Sequence, residues 1–70
     1  MNNVSLKNDL NEILANAKDL VIEKGGISGN AINIYNATTN EDFGTYTYYG
    51  NEANRNADFD SLQTLITEKK

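Results

Sequence analysis

The pattern of apolar positions changes period along the chain. Leu6, Leu10, Ile13, Leu14, Ala17, Leu20 and Val21 fall at offsets 0, 4, 7, 8, 11, 14 and 15, one stripe of a helix at about 3.6 residues per turn. The spacing predicts a helix over 5–24. Ser5 is placed as its N-cap, since a hydroxyl there accepts from an orphan amide of the first turn. Lys24 complements the C-terminal end of such a helix, and Gly25 suits the left-handed position just past it.

From Ile27 the period becomes two. In "AINIYN" Ile32 and Ile34 share one face, with Ala31, Asn33 and Tyr35 on the other. In "FGTYTYYG" Phe43, Thr45, Thr47 and Tyr49 alternate with Gly44, Tyr46 and Tyr48. Both runs are rich in β-branched and aromatic residues, as pleated strands prefer. The cluster between them, "NATTNED", predicts a turn, with Asn36 bonding ahead to its own backbone and Asn40 accepting a left-handed conformation. Closing the hairpin with Asn36 opposite Glu41 leaves Ala37 to Asn40 as the loop. That register sets Ile34 opposite Phe43 and Ile32 opposite Thr45, and it extends their apolar face to Tyr49. It sets Tyr35 over Asp42, Asn33 over Gly44 and Ala31 over Tyr46, so Tyr35, Tyr46 and Tyr48 form a stripe on the reverse side. A slip of one residue would move Tyr46 and Tyr48 to the side of Ile32 and Ile34.

Residues 50–58 read as a polar loop. Helical spacing returns in "DFDSLQTLITEKK", where Phe59, Leu62, Leu65 and Ile66 sit at offsets 0, 3, 6 and 7. Either Asp58 or Asp60 can cap this helix, Asp60 with Gln63 resembling a capping box, and Lys69 and Lys70 suit its C-terminal end. The expected fold class is α+β: a small α-β-β-α domain, one antiparallel hairpin packed against two helices, with residues 1–70 as a single domain. A lone hairpin is marginal, so it must pack on the helices, a third strand or a partner's sheet.

Composition narrows the function. With 70 residues the chain is near the lower size limit for independent folding, and it has no Cys to supplement the core through disulfides or thiolate metal sites. No basic-then-apolar leader begins the chain, and no run approaches a membrane span, so a cytoplasmic protein is expected. The net charge of −4 is uneven. Residues 1–40 carry −1, whereas residues 41–60, with Glu41, Asp42, Glu52, Asp58 and Asp60 against Arg55 alone, carry −4. Such a balance repels nucleic-acid phosphates and admits a protein partner with a basic surface. Asn occurs twelve times, which is read as coding bias rather than chemistry.

Chemical motifs mostly fail on inspection. "EKGGISGN" follows a helix and precedes a strand, the reverse of a phosphate loop, whose helix N-terminus must meet the anion. Its "GISG" does not lie between two helices as the GxxG of a KH domain does. The alternating oxygens of Asn54, Asn56, Asp58 and Asp60 match no calcium loop, because Gly and Glu are missing where the loop needs them. With no His and no Cys, the usual general base and strongest nucleophile are absent. Glu41 and Asp42 point to opposite faces of a strand and make no dyad. No catalytic, cofactor-binding or metal residues are therefore assigned.

The expectation is a non-enzymatic protein-binding module with Tyr35, Tyr46 and Tyr48 as the anchor and Glu41, Asp42 and Glu52 as the acidic rim. In size and charge alone it is similar to phage-encoded anti-CRISPR and anti-restriction proteins, small inhibitors of nucleic-acid-handling enzymes. One alternative is a homodimer or higher oligomer pairing through the hairpin edge, the tyrosines stacking across a two-fold axis. Another is a single-stranded nucleic-acid binder with bases on Tyr46 and Tyr48, against which the missing basic groove argues.

Overall fold

The computed structural model describes residues 1–25 and 30–69. The "GISG" segment and Lys70 lie outside the described residues. The order of elements is α1 (Val4–Ala15), a 3-10 turn (Ala17–Asp19), β1 (Leu20–Gly25), β2 (Ala31–Asn36), β3 (Asp42–Thr47) and α2 (Glu52–Lys69). The strands form one antiparallel sheet in the order β1-β2-β3. This is the expected α+β class with one additional strand.

The helix predicted over 5–24 ends at Ala15, and the 3-10 turn and this strand take up the rest of that span. The N-cap of α1 is Asn3, not Ser5: its side chain accepts from the Leu6 amide. Asn16 ends the helix, its backbone N–H bonding to the Ile13 and Leu14 carbonyls and its side chain donating to the Glu12 carbonyl at 3.0 Å. The turn then aims Leu20-Val21-Ile22 along the sheet, where β-branched side chains pack without the χ1 restriction of a helix. Leu20 fits the helical stripe and the strand's inward alternation equally, which is why the spacing alone misreads it. Gly25 ends a strand rather than capping a helix.

One face of the sheet carries the core. Leu6 and Ile13 from α1, Leu20 from β1, Ile32 and Ile34 from β2, Tyr46 and Tyr48 from β3 with its following turn, and Leu62 and Ile66 from α2 form a single buried cluster. Phe43, Phe59, Leu10, Leu14 and Ile22 pack around it. In a domain of this size such a cluster supplies most of the favourable free energy of folding.

The hairpin departs from the expected register at one residue. Near the turn the expectation holds: the Asn36 N–H donates to the Glu41 carbonyl at 2.8 Å, and Tyr35 lies opposite Asp42. Beyond it Ile34 pairs with Gly44 and the register shifts between Ile34 and Tyr35, so Phe43 is an extra residue on β3. This is a β-bulge, and Gly44 supplies the backbone it needs at φ +104°. Past the bulge Asn33 faces Thr45, Ile32 faces Tyr46 and Ala31 faces Thr47. Because side chains alternate with period two, the single insertion turns Tyr46 and Tyr48 into the core and moves Tyr49 off it. Tyr46 and Tyr48 are 6% and 7% exposed, and Tyr49 is 90% exposed. The predicted placements of all three are thereby reversed.

The segment 50–58 is helical rather than a loop from Glu52 onward. Asn51 starts α2, its side chain accepting from the Asn54 amide at 3.0 Å. Asp58, Leu62 and Ile66, spaced four apart, are the buried residues of this helix. Neither Asp58 nor Asp60 caps it.

Candidate functional site

The parity of β3 determines which of its backbone groups are free. The Tyr48 N–H donates to the Asn30 carbonyl at 2.8 Å. Given the register, Tyr46 directs its N–H and C=O groups toward β2 on the same side as the Tyr48 N–H, while Thr45 and Thr47 direct theirs to the open edge of the sheet. At that edge the Asn3 side-chain amide donates to the Thr47 carbonyl at 2.9 Å. The carboxamide stands where the N–H of a further strand would stand. The Thr45 N–H and C=O and the Thr47 N–H face a groove of about 450 Å³.

The walls of this groove are uncharged. Asn2, Asn3, Val4 and Ser5 at the start of α1 form one side, and Asn51 and Asn54 at the start of α2 close the end nearest Tyr49. Tyr49 and Gly50 have φ of 48° and 85°, and the Asn51 N–H closes their turn onto the Tyr48 carbonyl at 2.9 Å. Left-handed backbone is natural for Gly50 and uncommon for a bulky residue such as Tyr49. The turn holds the Tyr49 ring clear of the core at the lip of the groove.

Asp58 fixes the groove's position. This carboxylate is 2% exposed and accepts four kinds of donor. The Asn2 backbone N–H reaches Oδ1 and Oδ2 at 2.9 and 3.0 Å, the Asn2 side-chain amide reaches Oδ1 at 3.1 Å, the Asn3 N–H reaches Oδ2 at 2.9 Å, and the Tyr48 hydroxyl donates to Oδ2 at 2.7 Å. A carboxylate from α2 thus latches the N-terminus of α1, where a negative charge also complements the helix dipole. Burial pushes its carboxyl up, but the Asn2 and Asn3 amides and the Tyr48 hydroxyl outweigh that and hold it below its ordinary value of 3.8. Burial, reinforced by the Asp58 bond and charge, raises the Tyr48 hydroxyl well above 10.0. Tyr46 is raised in the same way by burial and by Asp9, to which its hydroxyl donates at 2.9 Å. The nearby charges of Glu12 and Asp42 add to that shift.

The six residues assigned to partner contact do not come together as one surface. Tyr46 and Tyr48 are core residues with bonded hydroxyls, so they are accessible neither to a protein nor to stacked bases. Tyr35 is half-buried on the open face of the sheet, opposite Val21 on one side and Asp42 on the other. Glu41 and Asp42 are exposed at one end of β3, and Glu52 is exposed in the first turn of α2 beyond the other. The acids therefore bracket the open edge of β3. Sequence reasoning missed Tyr49, Asn3 and Asp58. The glycine inside the strand was the one signal that could have located the bulge.

Among the described residues no group of three or more acidic, His or Cys side chains is arranged to hold a metal ion, and no helix is long and apolar enough to cross a membrane. No protein-family model, curated protein or solved structure matches the chain.

Proposed function

We propose that the chain is a small, non-enzymatic protein-binding module that inhibits or regulates a partner carrying a basic surface. The observation that carries this reading is Tyr49, an aromatic ring 90% exposed on left-handed backbone beside an open strand edge. Tyr49 is the most exposed large apolar side chain among the described residues, ahead of Val4 at 69% and Met1 at 36%. Tyr offers wide, rigid contact area with a polar tip and loses little entropy when it is covered. The exposed acids Glu41, Asp42 and Glu52 supply the rim that would steer a basic partner. The anchor, expected at Tyr35, Tyr46 and Tyr48, is thus moved to Tyr49, because Tyr46 and Tyr48 are buried and Tyr35 is half-buried on the other face of the sheet, while the acidic part of the expected site is retained. A basic surface on a nucleic-acid-handling protein fits this charge.

The test is affinity capture from the native host with wild-type and Tyr49→Ser baits of equal thermal stability. The expected result is a partner retained by the wild type in stoichiometric amount and lost with the variant. A partner held equally by both baits, or none held by the wild type, contradicts the reading.

A further inference from the structure

The open edge of β3 has the chemistry to receive an extended peptide. We infer that the partner contributes a short uncharged segment flanked by basic residues, and that this segment adds to the sheet as a fourth strand beside Thr45 and Thr47. The inference rests on the protein-binding reading and specifies how the binding occurs.

Three observations converge on it. The Thr45 N–H and C=O and the Thr47 N–H point into the groove, so a residue set opposite Thr45 exchanges two backbone bonds and the next pairing position offers a third. Asn3 already bonds the Thr47 carbonyl as a strand amide would, and it limits the added strand to the Thr45 side. The groove itself is lined by uncharged side chains, while Asp42 and Glu41 stand beyond one end and Glu52 beyond the other. A neutral centre with acids at both ends complements a neutral segment with Lys or Arg on each flank.

The same charges argue against a second copy as the occupant. Antiparallel pairing of two β3 edges about a two-fold axis would lay the Glu52 end of one chain against the Asp42 end of the other. Like charges would then face each other at both ends of the new ladder.

The experiment uses the full chain, isotope-labelled, and the acetylated, amidated peptide Lys-Lys-Thr-Val-Thr-Val-Lys-Lys as probe. The expected result is perturbation of the Thr45, Thr47 and Tyr49 amide resonances, with slowed hydrogen exchange at Thr45 and Thr47. Replacing the flanking Lys by Glu, or N-methylating the central peptide bonds, is expected to weaken binding about tenfold or more. The Glu52→Lys variant, altered at an exposed helix position, is expected to weaken binding of the Lys-flanked probe in the same direction. Binding that survives N-methylation, perturbation confined to other residues, or no binding of the Lys-flanked probe overturns the inference. So does protection of the Thr45 and Thr47 amides in the free protein with a dimer in sedimentation, since a second copy then holds the edge. A probe that fails while Tyr49-dependent capture of a partner persists refutes strand addition and leaves the protein-binding reading standing.

Discussion

Replacing Asp58 by Ala removes the acceptor of the Asn2 and Asn3 amides and of the Tyr48 hydroxyl in one step. The Asn2 and Asn3 amides lie near the surface and can turn to water, so their loss is partly recovered. The Tyr48 hydroxyl is buried and cannot, which costs about 1–3 kcal/mol for an unsatisfied group. The bonds to a charged acceptor contribute about 1.5–3 kcal/mol beyond that, giving an expected loss of about 3–5 kcal/mol. A domain of this length has a total stability of roughly 4–10 kcal/mol, so the substitution removes a third of it or more. In urea unfolding followed by far-ultraviolet circular dichroism, with a slope of about 1 kcal/mol/M for a small chain, the midpoint falls by about 3 M or the chain is unfolded at the outset. Tyr48→Phe deletes the hydroxyl but leaves Asp58 its amide donors, and is expected to cost only about 1 kcal/mol. An Asp58→Ala loss below about 1 kcal/mol, or equal losses for the two variants, would refute the latch.

Further outcomes follow from the same geometry. Because Asp58 titrates lower in the folded chain than its ordinary 3.8, the unfolded chain binds the extra proton between the two values. Its contribution is complete above about pH 4 and is lost as pH falls through the folded value, which an acid titration of wild type against Asp58→Asn measures. Tyr46 and Tyr48 titrate higher when folded than their ordinary 10.0, so stability is retained below pH 10 and lost above it, readable from tyrosinate absorbance at alkaline pH. Tyr46→Glu places a carboxylate beside Asp9 in the core and is expected to abolish cooperative thermal unfolding; a native-like melt would place the ring outside. Gly44→Ala has room for its Cβ but not the φ of +104°, and is expected to lower stability by about 1–2 kcal/mol in the same urea assay.

Where local pattern and tertiary structure agree, the sequence is legible. The stripe of Leu6, Leu10 and Ile13 marks α1, "AINIYN" marks β2, and Leu62 with Ile66 marks the buried side of α2. The failures come from residues that satisfy two patterns at once. Leu20 serves a helix stripe or a strand face, and only the Asn16 cap, read as an end, separates them. Asp58 has the chemistry of a helix cap, but its carboxylate instead holds the Asn2 and Asn3 amides just ahead of α1, more than fifty positions away in the chain, and no local window contains that pairing. The turn roles expected of Asn36 and Asn40 hold, Asn36 accepting from the Thr38 and Thr39 amides and Asn40 lying on left-handed backbone, but other Asn residues attributed to coding bias also have structural work: Asn3, Asn16 and Asn51 at helix ends and Asn30 on left-handed backbone. The bulge matters most for the candidate site. One extra residue at Phe43 exchanges the two faces of the strand beyond it, burying two tyrosines and freeing the Thr45 and Thr47 edge.

Residue-resolved amide hydrogen exchange tests that exchange of faces directly. The observed register predicts strong protection at Tyr46, whose amide faces β2, and at Tyr48, whose amide bonds to Asn30 just ahead of β2, and fast exchange at Thr45 and Thr47 in the monomer. Protection at Thr45 and Thr47 with fast exchange at Tyr46 and Tyr48 would restore the bulge-free register and contradict both the free edge and the role assigned to Tyr49.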